Sequence, residues 1–264
     1  MNGNYAIVTG GSQGIGKEYA TQLARDYHYN LLLVSNQETI LPIVAQELSS
    51  TYHVEVLWLY VDLSQSDAAE QIMTFCNTHE LNIEVLVNNA GMLIFEDLTK
   101  VPMKKIETML MMHVVTMTKL CKAFVDRLQM AGDQRQRRGY ILNMSSMTAW
   151  MAMPGIQCYN ATKGYVLNFS RSLWYEAKRY GVHVMAVTPG STNTGMLPFP
   201  PFWANVLRKV GITMEPRTLV HRALHVLFRT WRKKCMPGAW NYIIVPIINH
   251  LPDWVVFAAM KRLM

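Results

Sequence analysis

Along its first 190 residues the chain alternates short, continuous apolar runs with longer stretches of helical periodicity. The runs at 5–8, 30–34, 55–61, 83–87, 140–144 and 182–188 have the length and composition of strands buried on both faces. Between them, one helix runs from the glycine turn at 10–16 to about residue 26, another from 103 to about 130, and a third carries Tyr159 and ends near Gly181. Methionines 109, 111, 112 and 117 make the second of these either core or a helix-pairing surface. Such alternation predicts an α/β fold, a parallel sheet with helices on both faces. Further on, 215–234 reads as an amphipathic helix and 242–245 as a seventh strand.

At 264 residues and half apolar, the chain can bury one large core, and no linker, repeat or low-complexity tract divides it. A single domain over 1–264 is expected, with a core over about 4–194 and a C-terminal extension over about 195–264. A first strand beginning at Asn4 or Tyr5 leaves no room for a signal peptide, and no uninterrupted apolar run of eighteen residues is present to span a bilayer. Cys76, Cys121, Cys158 and Cys235 lack C-x-x-C pairing, which predicts reduced thiols in a cytoplasmic compartment. Of these, Cys158 adjoins Tyr159 and is the one to test for reactivity.

The net charge of +7 gathers in two clusters. Arg135, Arg137 and Arg138 fall in a loop without interleaved aromatics, which argues against a nucleic-acid partner. Arg229, Arg232, Lys233 and Lys234 precede an apolar tail, a pattern that fits peripheral contact with an anionic membrane surface. His221 and His225, four apart, have no third ligand, so no metal is expected.

The segment TGGSQGIG (Thr9 to Gly16) lies between the first strand and the first helix. Gly10, Gly14 and Gly16 allow a tight turn and close approach of the backbone to a pyrophosphate, with Ser12, Gln13 and Ile15 completing the loop. The next strand closes a βαβ unit, so the expected architecture is a Rossmann-type doubly wound sheet of about seven strands binding a dinucleotide. About twenty residues on, an acid would pair with a free ribose 2′-hydroxyl and repel a 2′-phosphate. Ser35, Asn36 and Gln37 offer neither acid nor arginine there, a modest lean to NADP. Lys17 either lies near the phosphates or is a solvated first-turn lysine. Asp62, followed by Leu63, either accepts from an adenine amino group or caps the next helix. Asn88, Asn89, Ala90 and Gly91 either tie the sheet together or border the ribose. Pro189, Gly190, Thr192 and Thr194 follow the sixth strand on the cofactor side.

The chemistry is expected in 143–163, NMSSMTAWMAMPGIQCYNATK. Tyr159 and Lys163, at i and i+4, share a helix face. A fixed cation should bring a phenol down from its usual pKa of about 10 toward the range useful for proton transfer. Ser146 adds a hydroxyl that can converge on the same oxygen if the loop folds back. Tyr175 and Arg179 repeat the spacing, but sixteen residues on they sit roughly 160° around and roughly 24 Å along the helix, and read as surface decoration.

Four ordered motifs, TGGSQGIG, NNAG at 88–91, a serine thirteen before Y-x-x-x-K, and PG followed by Thr194, together resemble the short-chain dehydrogenase/reductase family over residues 4–194. The resemblance implies an NAD(P)-dependent oxidoreductase with Tyr159 as acid/base, Lys163 lowering its pKa and holding the nicotinamide ribose, and Ser146 orienting the substrate oxygen. It also implies a homodimer or homotetramer built on helices near 104–130 and 158–180. Family members often carry an asparagine in the fourth helix that supports a water-linked proton relay, and His113 stands at that position here. An imidazole can pass protons, or it can be satisfied within a packing face.

Beyond Thr194 the chain diverges. Leu197, Phe199, Phe202 and Trp203, among Pro198, Pro200 and Pro201, read as a lid over an apolar ligand or as material buried against the core. The ending HLPDWVVFAAMKRLM is similar to the hydroxysteroid dehydrogenase and 3-oxoacyl reductase branch of the family, which implies a hydrophobic carbonyl or secondary alcohol as substrate, steroid-like or 3-oxoacyl. The alternatives are a non-catalytic dinucleotide sensor and a membrane-surface scaffold with the same fold.

Overall fold

The computed structural model describes residues 3–130, 138–151, 153–190, 192, 214–238, 241–252, 254 and 255. Seven parallel strands, β1 (Asn4–Thr9), β2 (Asn30–Ser35), β3 (Val56–Tyr60), β4 (Asn82–Asn88), β5 (Gly139–Met144), β6 (Val182–Val187) and β7 (Lys234–Cys235), form one sheet in the order β3-β2-β1-β4-β5-β6-β7. From β1 the chain winds outward to β2 and β3, then crosses back to β4 and winds the other way. This reversal opens a crevice beyond the carboxyl ends of β1 and β4, where open α/β sheets bind ligands.

Alternate strand residues feed two cores. Ala6, Val8, Leu31 and Leu33 pack under α1 (Gly14–Tyr27), α2 (Leu41–Tyr52) and a C-terminal helix, Pro216–Arg229, labelled α7 below. Tyr5, Ile7, Leu32 and Val34 face α3 (Ala68–Thr78), α5 (Met117–Met130) and α6 (Gln157–Ala177). Both faces of each central strand are thus removed from water, which is why their sequences are continuously apolar.

Before α5 come α4 (Met103–Leu110) and a π-helical turn (Met111–Thr116). Together, Met103–Met130 is long and apolar enough to cross a membrane, but here Leu120, Cys121 and Phe124 spend that apolarity against the sheet. Met109 and Met117 are buried as expected of core methionines. After α6 and a single 3-10 turn, Gly181 adopts φ +72°, the left-handed stop expected there.

Two C-terminal expectations are corrected. Residues 242–245 are not a strand but lie in α8 (Asn241–Asn249), and the edge of the sheet is taken by β7, whose residues pair with Ala186 and Val187 of β6. A four-residue run of one aromatic and three β-branched residues fits either element, and occupation of the β6 edge by β7 settles which. The amphipathic helix read over 215–234 ends at Arg229, freeing 230–235 to return to the sheet. Thr194, the proposed lid residues 197–203, Arg135, Arg137 and the last nine residues lie outside the described residues.

Candidate active site

The glycine turn fits a dinucleotide pyrophosphate. Gly10 and Gly14 have φ of +66° and +56°, and a Cβ on Gly16 would sit 1.9 Å from the Gly10 carbonyl oxygen, so the turn closes only without a side chain there. Gln13 at the N-cap makes no side-chain cap and the first turn of α1 holds no acid, so its amides are available to an anion. A Cβ on Gly14 would meet open space, so the site is not blocked by the chain itself. Ile15 is half-buried beside the core under α1.

Ser12 and Ser35 hydroxyls lie 2.9 Å apart, and Ser12 also donates to Gln37 Oε1 at 3.2 Å, forming a neutral polar floor at the end of β2 beside exposed Asn36. Lys17 is not directed to this floor: it pairs with Glu47 at 2.7 Å across to α2. Asp62 caps its own turn, accepting from Ser64 N at 2.9 Å and Ser64 Oγ at 2.8 Å, and the Ser64 backbone bond is the main reason its carboxyl is held below the usual range. Leu63 is buried and its carbonyl accepts from Thr116 Oγ1.

Of the two readings of the asparagine pair, the sheet-tying one describes the bonds. Asn88 Nδ2 donates to Asn143 Oδ1 at 2.8 Å, joining β4 to β5. Asn89 Nδ2 donates to the Thr9 carbonyl at 3.0 Å, and Thr9 Oγ1 accepts from the Asn89 and Ala90 amides. Thr9 therefore holds the start of the NNAG loop at the tip of β1. Pro189 is buried at the tip of β6, and Gly190 lets Asn241 at the start of α8 approach closely, since a Cβ would lie 2.4 Å from Asn241 Oδ1. Thr192 Oγ1 donates to the Gly190 carbonyl at 3.3 Å.

Ser146, Tyr159 and Lys163 come together as expected. Ser146 caps a short 3-10 helix (Met147–Trp150), accepting from Thr148 N at 3.2 Å and Thr148 Oγ1 at 3.0 Å, and its hydroxyl is the neighbour that favours the ionised form of the Tyr159 phenol. Lys163 is 5% exposed, donates from Nζ to the Met144 carbonyl at 2.8 Å, and lies 5.5 Å from the Tyr159 ring centre. Ser145 Oγ donates to the Lys163 carbonyl at 2.7 Å, fastening α6 to the end of β5. Tyr175 is exposed, as expected of a surface pair, though its hydroxyl meets Lys233 rather than Arg179. Cys158 is half-buried on the first turn of α6.

The electrostatics differ from the sequence expectation. Burial, not the neighbouring ammonium, dominates Tyr159: it raises the phenol pKa above 10, and the Ser146 hydroxyl opposes that rise. Burial also lowers Lys163 from 10.5 to about 8. Both groups are displaced toward their neutral forms.

His113 is buried and both ring nitrogens are engaged. Nε2 accepts from Met92 N at 3.0 Å, so the proton sits on Nδ1, which donates to Thr162 Oγ1 at 2.9 Å; that hydroxyl in turn donates to the Tyr159 carbonyl at 2.8 Å. Burial first, and the Lys163 charge second, hold its pKa well below normal. The imidazole thus clamps the NNAG loop to α6. Gly91 belongs to the same clamp, since a Cβ there would approach Nε2 to 3.0 Å. Beside it, a cavity of about 20 Å³ lined by Thr9, Asn88, His113, Thr116 and Lys163 has room for one water.

Sequence reasoning missed Thr9, Asn143, Ser145 and Thr162. Each bonds a partner at least 18 residues away, so no local spacing announces them.

A crevice at the strand-order reversal, a glycine turn on a helix N-terminus and a Ser-Tyr-Lys cluster with a buried lysine define a dinucleotide-dependent oxidoreductase. A family model for short chain dehydrogenases matches residues 4–199, and the chain belongs to that family. It is 32% identical over 263 residues to the very-long-chain 3-oxoacyl-CoA reductase of Bos taurus, covering 97% of this chain and 78% of that protein. Among solved structures it is similar to a 7beta-hydroxysteroid dehydrogenase, with TM-score 0.82, 28% identity, and 97% and 96% of the two chains covered. It is also similar to a short-chain dehydrogenase from Sphingobium yanoikuyae in complex with NADPH, with TM-score 0.77, 26% identity, and 98% and 94% covered. The protein is therefore a short-chain NAD(P)-dependent oxidoreductase acting on a small molecule.

Proposed function

We propose that the chain uses NADP(H) to interconvert a hydrophobic carbonyl and its secondary alcohol, of the 3-oxoacyl or steroid-like kind. The observation that carries this reading is the gathering of Ser146, Tyr159 and Lys163 at one end of β5, Ser146 and Lys163 buried and the half-buried Tyr159 ring 5.5 Å from the Lys163 ammonium. The reduced dinucleotide supplies the hydride. Gly10 to Gly16 and the free amides of α1 receive its phosphates, while Ser35 and Asn36 border the adenosine ribose without an acid to repel a 2′-phosphate.

Ser146 holds the substrate oxygen and Tyr159 gives it a proton. Burial keeps the phenol protonated, which suits the direction of carbonyl reduction. Lys163, anchored on the Met144 carbonyl, places an ammonium where it stabilises the phenolate left behind. His113 acts as a positioning residue that holds Gly91 and Met92 against α6, and proton resupply runs past Lys163 through the one-water cavity. The relatives' substrates and the apolar composition of 197–203 support the choice of substrate class. Self-association as a dimer or tetramer belongs on the α4–α6 side, where Val115 and Tyr165 are exposed.

The test is NADPH oxidation across a panel of 3-oxoacyl and steroid ketones. Tyr159→Phe should lose turnover at least about a hundredfold with NADPH affinity unchanged. Full activity of that variant on the same ketone would overturn the assignment.

A further inference from the structure

After α7, the chain returns to the sheet edge and brings Lys233 and Lys234 beside α6. Lys234 Nζ lies 5.0 Å from the Trp150 ring centre, and the Arg171 guanidinium lies 5.9 Å from the same ring. Lys233 Nζ lies 4.4 Å from the Tyr175 ring and bonds its hydroxyl. Among the described residues ion pairs form at Lys17, Arg25 and Lys122, none of them here. Glu176 on α6 is exposed and pairs with none of these cations. Three buried donors in the same cluster, Arg171 Nε, Trp150 Nε1 and Trp174 Nε1, have no acceptor.

Its apolar neighbour is α8, which packs on the 3-10 helix that carries Trp150. Asn241 and Val245 turn inward, while Tyr242, Ile243 and Ile247 are 60%, 52% and 57% exposed. Nine residues of helix reach roughly 13 Å, too short for a hydrocarbon core of about 30 Å, so such a row can lie in a bilayer surface but not cross it.

From the cations and the apolar row together, we infer that this face docks on an anionic phospholipid surface, with lipid phosphates at Arg171, Lys233 and Lys234 and the α8 side chains in the acyl boundary. The inference is independent of the reductase reading. Flotation of the whole chain with phosphatidylcholine vesicles, with and without phosphatidylserine, tests it. Wild type should bind the anionic vesicles, and Lys233→Glu/Lys234→Glu should weaken binding on the order of tenfold or more, as should high salt. Ile247→Asp should weaken it independently, and unchanged NADPH affinity shows that the variants are folded. No flotation with anionic vesicles, or equal flotation of the charge-reversed variant, overturns the inference. Quenching of tryptophan fluorescence by inorganic phosphate without vesicle binding would assign the cluster to a free phosphate compound instead, and overturn it too.

Discussion

Lys163→Met separates the cost of the buried ammonium from its use. Burial brings Lys163 from 10.5 to about 8, and at about 1.4 kcal/mol per pH unit the interval corresponds to on the order of 3 kcal/mol of folding stability. Against this, methionine leaves the Met144 carbonyl without its 2.8 Å partner, a loss of about 1–3 kcal/mol. The variant should therefore be as stable as wild type or up to about 2 kcal/mol more stable near neutral pH, while turning over poorly.

The pH dependence isolates the ionisation. Between about 8 and 10.5 the unfolded chain still holds the lysine proton and the folded chain has released it. Fewer protons bound in the folded state mean that wild-type stability from this site rises with pH across that window. Methionine has no such gain, and His113, which feels the Lys163 charge, stays neutral across this window in both proteins. In urea unfolding without dinucleotide, the stability of the variant relative to wild type should fall by about 2 kcal/mol between about pH 8 and about pH 9.5. A difference that stays constant within about 0.5 kcal/mol would refute the assignment of a destabilised buried cation.

Three further changes address other parts of the site. His113→Ala removes the acceptor for Met92 and the donor to Thr162 and leaves a void, so thermal unfolding should show a loss of about 3 kcal/mol, and a loss under about 1 kcal/mol would contradict the clamp. Because burial holds its pKa well below normal, His113 must be charged on unfolding in acid; wild-type stability should decline below about pH 6.5, and His113→Asn should lessen that decline in pH-dependent melts. Gly16→Ala forces a Cβ to 1.9 Å from the Gly10 carbonyl oxygen and should cost about 3 kcal/mol together with dinucleotide binding, read by melting and fluorescence titration. Asn36→Arg should raise the preference for NADPH over NADH about tenfold or more through a charge-assisted bond to the 2′-phosphate, and an unchanged ratio would remove Asn36 from the ribose subsite.

The sheet was legible because its strands are buried on both faces, which leaves continuous apolar runs such as 30–34 and 182–188. The glycine turn was legible because only glycine satisfies the φ of residues 10 and 14 and the crowding at residue 16. What sequence reasoning misjudged were quantities set by distant parts of the chain. Whether 242–245 is strand or helix depends on which segment reaches the β6 edge, and Lys234–Cys235 reaches it first. Lys17, which its position alone left between phosphates and solvent, pairs with Glu47 on another helix. The acidity of Tyr159 depends on how much water its surroundings exclude, which an i,i+4 spacing cannot report.

The residues around the crevice hold the backbone first and are free for chemistry second. Thr9, Asn88, Asn89 and His113 use their hydrogen bonds to join β1, β4, β5 and α6, so in the proposed reaction Ser146, Tyr159 and Lys163 are the groups left for the chemistry. His113 fills both of its nitrogens in doing so, and a proton could pass through the ring only by breaking a bond to Met92 or Thr162. Lys163 Nζ has three donors, gives one to the Met144 carbonyl and lines a water-sized cavity, so in the proposed mechanism it can exchange a proton without loosening the fold. A lysine near 8 beside a protonated phenol forms a pair that can be recharged close to neutral pH, and the same burial that makes the ammonium costly to fold makes its charge effective when a phenolate appears beside it.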